Sequence, residues 1–267
     1  MMLAMSSLKM FETEENLVIS SIPHCETLTS TAYKGVKENT VVLREVNVGF
    51  GRADIVVVEH TPCSYQQKVL LKHDISIYKA IEKQGQSSVT AIVESTRLNK
   101  QQVNNSLEKL GELGYITWRC PETIELAKRY ESTIRDVIAI EAKLKDWKRA
   151  LNQAYRYKWF ASRSYVLLDD AHLRPAIKNL SAFQSLGVGL ISLDLEGNWK
   201  MIYEPTPGEP INDKMAILLN EQVKAYYFEQ IKVRLERFST YPNDSCCSLL
   251  SGEHHGSLGY HSNRLHD

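Results

Sequence analysis

Five side chains stand out for their types and spacing: Asp54, Glu141, Lys143, Gln153 and Tyr157. Glu141 and Lys143 close the run Val137-Ile138-Ala139-Ile140-Glu141-Ala142-Lys143, whose apolar, β-branched start reads as a strand. Alternate strand residues share a face, so the carboxylate and the amine emerge on the same side. The four apolar residues before them imply a buried central strand, where ionic groups are expensive unless they pair or hold a metal. Asp54 opens a second apolar strand, Ala53 to Glu59, and is either a turn cap or a metal ligand.

An amphipathic helix pattern starts directly after Lys143. Asp146 suits its N-cap, and Trp147, Ala150, Leu151, Ala154, Tyr157 and Ala161 recur at the spacing of one buried stripe. Beside the stripe lie Arg149, Gln153, Arg156 and Arg163, a polar, cationic face along the edge of the same site. Phosphate suits such a face, because guanidinium groups bind it in bidentate fashion.

The elements that must position these groups belong to a chain of 267 residues with 43% hydrophobic content, enough for a sizeable core. Lys plus Arg and Asp plus Glu both number 32, so no global positive field exists and nucleic-acid contact has to come from local patches. The five cysteines, Cys25, Cys63, Cys120, Cys246 and Cys247, show no Cys-x-x-Cys spacing. This argues against a zinc site or a disulfide framework and for a reducing compartment. With no apolar run long enough for a bilayer and no basic start leading into an apolar core, the expectation is a cytoplasmic protein without membrane contact.

Along the chain, a helix is expected from about residue 8 to 22, with Glu14 and Glu15 near its start. Thr40 to Val48 and Ala53 to Glu59 read as a hairpin around Gly49-Phe50-Gly51-Arg52. Between Lys72 and Cys120 three short helices follow, the first capped by Asp74, the second opened by Ser87 and Ser88, the third capped by Asn99. Gly114 stops the third helix, and Tyr115-Ile116-Thr117-Trp118 begins a strand. Residues 121–136 read as a charged helical connector, Ser164 to Leu168 as a strand, and Leu173 to Leu186 as a helix with Pro175 in its first turn. Val188 to Leu193 and Trp199 to Tyr203 form another hairpin. Asp213 to Phe238 is helical, burying Met215, Leu218, Leu219, Val223, Tyr226, Tyr227, Ile231 and Leu235. Residues 241–267, which include His254-His255, read as a disordered, solvated tail.

The block from Lys72 to Cys120 resembles a winged helix-turn-helix in pattern. In that family the third helix is presented to the DNA major groove, which implies Lys100, Gln101, Gln102, Asn104, Asn105 and Lys109 as outward positions for base edges and phosphates. Glu82, Glu94, Glu108 and Glu112 offset its lysines, so protein contact is the alternative role.

With that block set aside, Arg52-Ala53-Asp54 ahead of one strand, Glu141-Ala142-Lys143 at the end of the next, and Gln153 with Tyr157 on the following helix resemble the PD-(D/E)xK nuclease superfamily. The resemblance covers about residues 8–60 and 137–205 and departs from the pattern in the long separation of Asp54 from Glu141. It implies an α/β restriction-endonuclease-like fold, a mixed central sheet flanked by helices, built from 1–71 and 137–240 with the winged helix inserted at 72–120. The implied activity is hydrolysis of DNA phosphodiester bonds by a Mg²⁺- or Mn²⁺-dependent endonuclease, with DNA as partner and a homodimer as a frequent family state. Asp54 and Glu141 are hard oxygen ligands, the Ala142 carbonyl is a third, and Glu14, Glu15 or Glu45 supplies the first acidic residue. Lys143 would orient or help deprotonate the attacking water, Gln153 and Tyr157 would position the metal-site groups or the strand being cut, and Arg149 and Arg156 would hold the backbone. The competing expectations are a non-catalytic winged-helix regulator on the same scaffold and a partner-dependent subunit of a defence or transposition complex.

Overall fold

The computed structural model describes residues 10–29, 40–49, 51–61 and 68–239. The tail from 241 onward, Cys63, Cys246, Cys247 and the first residues of the expected opening helix lie outside the described residues. In chain order the elements are α1 (Glu14–Cys25), β1 (Thr40–Asn47), β2 (Arg52–His60), α2 (Lys72–Gln84), β3 (Gln86–Ser87), α3 (Val89–Thr96), α4 (Lys100–Glu112), β4 (Ile116–Cys120) and β5 (Thr123–Leu126). They continue with β6 (Ile134–Lys143), α5 (Trp147–Tyr157), β7 (Arg163–Asp169), α6 (Arg174–Ile177), α7 (Leu180–Leu186), β8 (Gly189–Leu193), β9 (Trp199–Tyr203) and α8 (Asp213–Ser239).

Six strands form a mixed sheet in the order β1-β2-β6-β7-β8-β9. β6, β7 and β8 run parallel, and every other neighbouring pair is antiparallel. One face carries Val56, Val58, Val137, Ala139, Val166 and Leu168 against Ala150, Leu151 and Ala154 of α5 and Met215, Leu219 and Val223 of α8. The other carries Ile55, Val57, Ile138, Ile140, Tyr165 and Leu167 against Leu17, Val18 and Cys25 of α1. Covered on both faces, β6 is apolar at consecutive positions, which is why its sequence shows no alternation. Gly189 on β8 is required by packing: a Cβ there would stand 2.1 Å from Tyr165 Cδ1.

Residues 68–126 build a second core. α2, α3 and α4 pack with the antiparallel sheet β3-β5-β4 around Ile75, Tyr78, Ile81, Ile92, Val103, Leu107, Leu110 and Ile124, and Ile217 of α8 joins the cluster. Ser88 Oγ accepts the Ala91 amide at 3.2 Å, and Asn99 forms a capping box with Gln102, so each helix starts where its cap residue stands. α2 starts earlier, with Leu71 as N-cap. Asp74, in the first turn, is fully buried and accepts from the Leu71 amide (2.8 Å), Ser106 Oγ (2.6 Å) and Lys109 Nζ (2.7 Å). Lys109 therefore points into the core rather than outward. Burial alone would raise the Asp74 pKa, but the bonds from Lys109, Ser106 and Leu71 outweigh it and hold the carboxyl below its usual range.

Three further expectations are corrected. The segment 121–136 contains no helix: Thr123–Leu126 is β5, antiparallel to β4 with Ile124 buried between exposed or half-buried neighbours, and β6 begins at Ile134. The helix over 173–186 divides into α6 and α7, because Asn179 Nδ2 bonds the Pro175 carbonyl (2.8 Å) and its backbone leaves the helical region. On α8, Tyr226 is exposed, while Asn220, Glu221 and Lys224 are buried with Tyr130. Ile231 and Leu235 have side chains outside the described set.

Candidate active site

Antiparallel pairing of β2 and β6 brings the beginning of one strand to the end of the other. The register Ile55↔Ile140 sets Asp54 opposite Glu141, and the Ala142 amide donates to Asp54 Oδ2 at 2.7 Å. Lys143 folds back over this pair. Its Nζ stands 3.0 Å from Glu141 Oε1, 2.9 Å from the Ala142 carbonyl oxygen, 3.1 Å from Glu14 Oε2 and 4.0 Å from Asp54 Oδ2. Four oxygens thus converge on one cation. Glu141 is 1% exposed, and Tyr157 of α5, buried as well, bonds its carboxylate. The Tyr157 hydroxyl has one proton and two acceptors, Glu141 Oε2 and the Arg52 carbonyl (2.9 Å), so it ties the start of β2 to the Glu141 carboxylate.

The charges are unequal, and this sets the proton affinities. Asp54 is pushed up to about 6, first by burial and then by the Glu141 charge, against which the Ala142 amide and Lys143 work in the opposite direction. Burial pulls the Lys143 ammonium down, but the hydrogen bond and charge of Glu141, with Asp54 and Glu14, more than reverse it. Lys143 is therefore charged at every physiological pH. Tyr157 is driven far above the phenol range by burial and by Glu141, so it acts as a neutral donor. Without a further cation, the site takes up a proton at Asp54 on the acid side of neutrality.

Of the alternatives for a first acidic residue, Glu14 reaches Lys143 directly from the first turn of α1, and Glu15 pairs with Arg44 at 2.6 Å. Glu45 pairs with Arg52 at 2.9 Å, yet its charge adds to the rise of Asp54, and it holds φ 56° in the middle of β1 opposite Asp54. A non-glycine residue in that region stores of order 1–3 kcal/mol. Gln153 lies one turn before Tyr157 on α5, and its buried Oε1 has no hydrogen-bond partner. Arg149 and Arg156 are exposed on the same helix.

Arg163 is not part of this edge. It starts β7 opposite Ile138, at the other end of the parallel pair, where it binds Asp136. The helix ends at Tyr157, so the polar face counted through Arg163, like the stripe counted through Ala161, runs past its last turn. Lys100, Gln101, Gln102, Asn104 and Asn105 are all exposed on α4, with Gln101 Nε2 donating to Asn105 Oδ1 (2.8 Å) and Gln102 Oε1 accepting the Asn99 amide (3.3 Å). Sequence reasoning missed the Arg52 carbonyl, a backbone group that no motif marks.

Among the described residues no group of three or more His, Cys, Asp or Glu side chains is arranged to hold a metal ion. No helix among them is long and apolar enough to cross a membrane. No family model, no curated protein and no solved structure matches this chain.

Proposed function

We propose that this chain is a metal-dependent deoxyribonuclease of the PD-(D/E)xK type, in which the 68–126 block is an inserted winged helix that recognises DNA. The observation that carries the reading is the convergence of Asp54, Glu141 and Lys143, from two adjacent interior strands, at one end of the sheet. The order α1, β1, β2, β6, α5, β7, with antiparallel pairing through β2 and a parallel β6-β7 step, supports it.

The donor set fits a hard divalent cation. Two carboxylates and the Ala142 carbonyl already surround one positive group, and Asp54 binds a proton with unusual strength because burial, and after it the Glu141 charge, penalise its ionised form. Asp54, Glu141 and the Ala142 carbonyl would hold Mg²⁺ or Mn²⁺, which when bound neutralises phosphate charge and acidifies a water. Tyr157 keeps Glu141 oriented through its hydroxyl. Lys143 supplies a permanent positive charge to orient the attacking water and offset the phosphate, and Gln153, whose buried oxygen has no hydrogen-bond partner, would position the metal-site groups or the strand being cut. On the inserted block, the exposed amides and Lys100 of α4 are the groups for base edges and phosphates.

The test is nicking of supercoiled plasmid by purified protein in Mg²⁺, Mn²⁺ or EDTA, with Lys143→Ala alongside. Nicking that needs metal and is lost in the variant supports the reading. Equal nicking by Lys143→Ala refutes the site, and binding of duplex without cleavage in any metal favours the regulator.

A further inference from the structure

The protein has no net charge, but its positive groups are unevenly placed. Between 144 and 188 there are eight Lys and Arg against three Asp and no Glu. On the outer face of α5, Lys148, Arg149 and Arg156 are exposed, and none of them ion-pairs with a described carboxylate. Helical spacing arranges this face in two rows. Arg149 and Arg156, seven residues apart, flank Gln153 on the side of Tyr157 and the carboxylates. Lys148 and Tyr155, also seven apart, form the second row, with Asn152 between the rows.

Tyr155 is 42% exposed although it sits among cations. Lys158 Nζ, which donates to the Leu186 carbonyl (3.0 Å), lies 5.8 Å from the Tyr155 ring centroid. Exposed cations, of which Lys148 also lies 5.7 Å from the Trp147 ring centroid, interleaved with an exposed aromatic ring are what a single strand of nucleic acid uses, phosphates on the charges and an unstacked base on the ring. A blunt duplex would use the charges but leave the ring idle, because its bases are stacked on one another. The geometry points to the outer face of α5 as a track for single-stranded DNA, with its backbone on Lys148, Arg149 and Arg156 and one base stacked on Tyr155. The inference rests on the nuclease reading and names its substrate form: DNA with an unpaired stretch beside the cleavage point.

Fluorescence anisotropy in EDTA, where no cutting occurs, tests it with a labelled single strand, the same sequence as blunt duplex, and full-length protein. Tyr155→Ala should bind the single strand about 10-fold more weakly, within the range for one stacked base. Tyr155→Phe should bind it as wild type does, and the duplex affinity of Tyr155→Ala should be unchanged. The Arg149→Ala, Arg156→Ala double variant should weaken both ligands and flatten the salt dependence for the single strand by about 1.4 in log–log slope. Full single-strand affinity in Tyr155→Ala, an equal loss on the duplex, or no single-strand binding by wild type overturns the proposal. The nicking assay separates the two readings: a protein that nicks with metal but ignores Tyr155 fails this inference alone, and one that binds as described but never cuts fails the nuclease reading alone.

Discussion

Replacing Asp54 by asparagine should stabilise the protein at pH 8 and much less at pH 4.5, where the folded carboxyl is already protonated and only the unfolded chain ionises it. The side chain is 21% exposed and its pKa rises from 3.8 to about 6 on folding, first through burial and then through Glu141. An acid whose folded pKa is raised binds its proton more tightly in the native state, so stability is greatest below the unfolded value and falls as pH climbs through about 6. A shift of about two units at 1.36 kcal/mol each puts the cost of the ionised form at about 2–3 kcal/mol above pH 6. Asparagine keeps the shape and an acceptor for the Ala142 amide but removes the charge. At roughly 2–3 °C per kcal/mol for a chain of this size, Tm should rise by about 4–8 °C at pH 8. Thermal unfolding in EDTA at both pH values measures this. No gain at pH 8, or an equal gain at both, would refute the electrostatic argument, the second outcome pointing to packing. Added Mg²⁺ should stabilise wild type by about 2.7 kcal/mol at a hundred times its Kd and should not stabilise the variant.

Gly189→Ala should destabilise by about 1–3 kcal/mol in chemical denaturation, because its Cβ meets the Tyr165 ring inside the core. Asp74→Ala should cost about 3–5 kcal/mol, since it strands Lys109 and Ser106 at a buried position. As the Asp74 pKa is depressed on folding, its contribution is present above about 4 and lost as pH falls through the folded value, so a pH titration of stability should show the difference from wild type shrinking in acid. Tyr157→Phe should cost about 1–3 kcal/mol by leaving Glu141 Oε2 without its donor, and should lower cleavage without abolishing it in a nicking assay.

The core of the site was legible because strand geometry is local. Two-residue spacing fixed Glu141 and Lys143 on one side, and the apolar run before them announced burial. What depended on distant contacts was not legible. Glu14, Glu15 and Glu45 are equivalent as letters, and only the packing of α1 on the sheet brings Glu14 to Lys143. Arg163 was misplaced because periodicity does not say where a helix stops. Asp74 has the residue type of a cap, and its burial against Ser106 and Lys109 follows from the α2–α4 packing. The connector was misread because Lys128, Arg129 and Glu131 dominate its composition, whereas the alternation Thr123-Ile124-Glu125-Leu126 carries the strand.

The most direct measurement of the central claim is single-turnover cleavage of end-labelled DNA at pH 8 by wild type and Glu141→Gln, in Mg²⁺ and in EDTA. Glu141 is the buried acid that contacts both Lys143 and Tyr157, and the substitution preserves its size. The account predicts metal-dependent product from wild type and at least about a 100-fold slower reaction from the variant, the scale of losing one preorganised charged group. Cleavage by Glu141→Gln at the wild-type rate, or cleavage undiminished in EDTA, would contradict it.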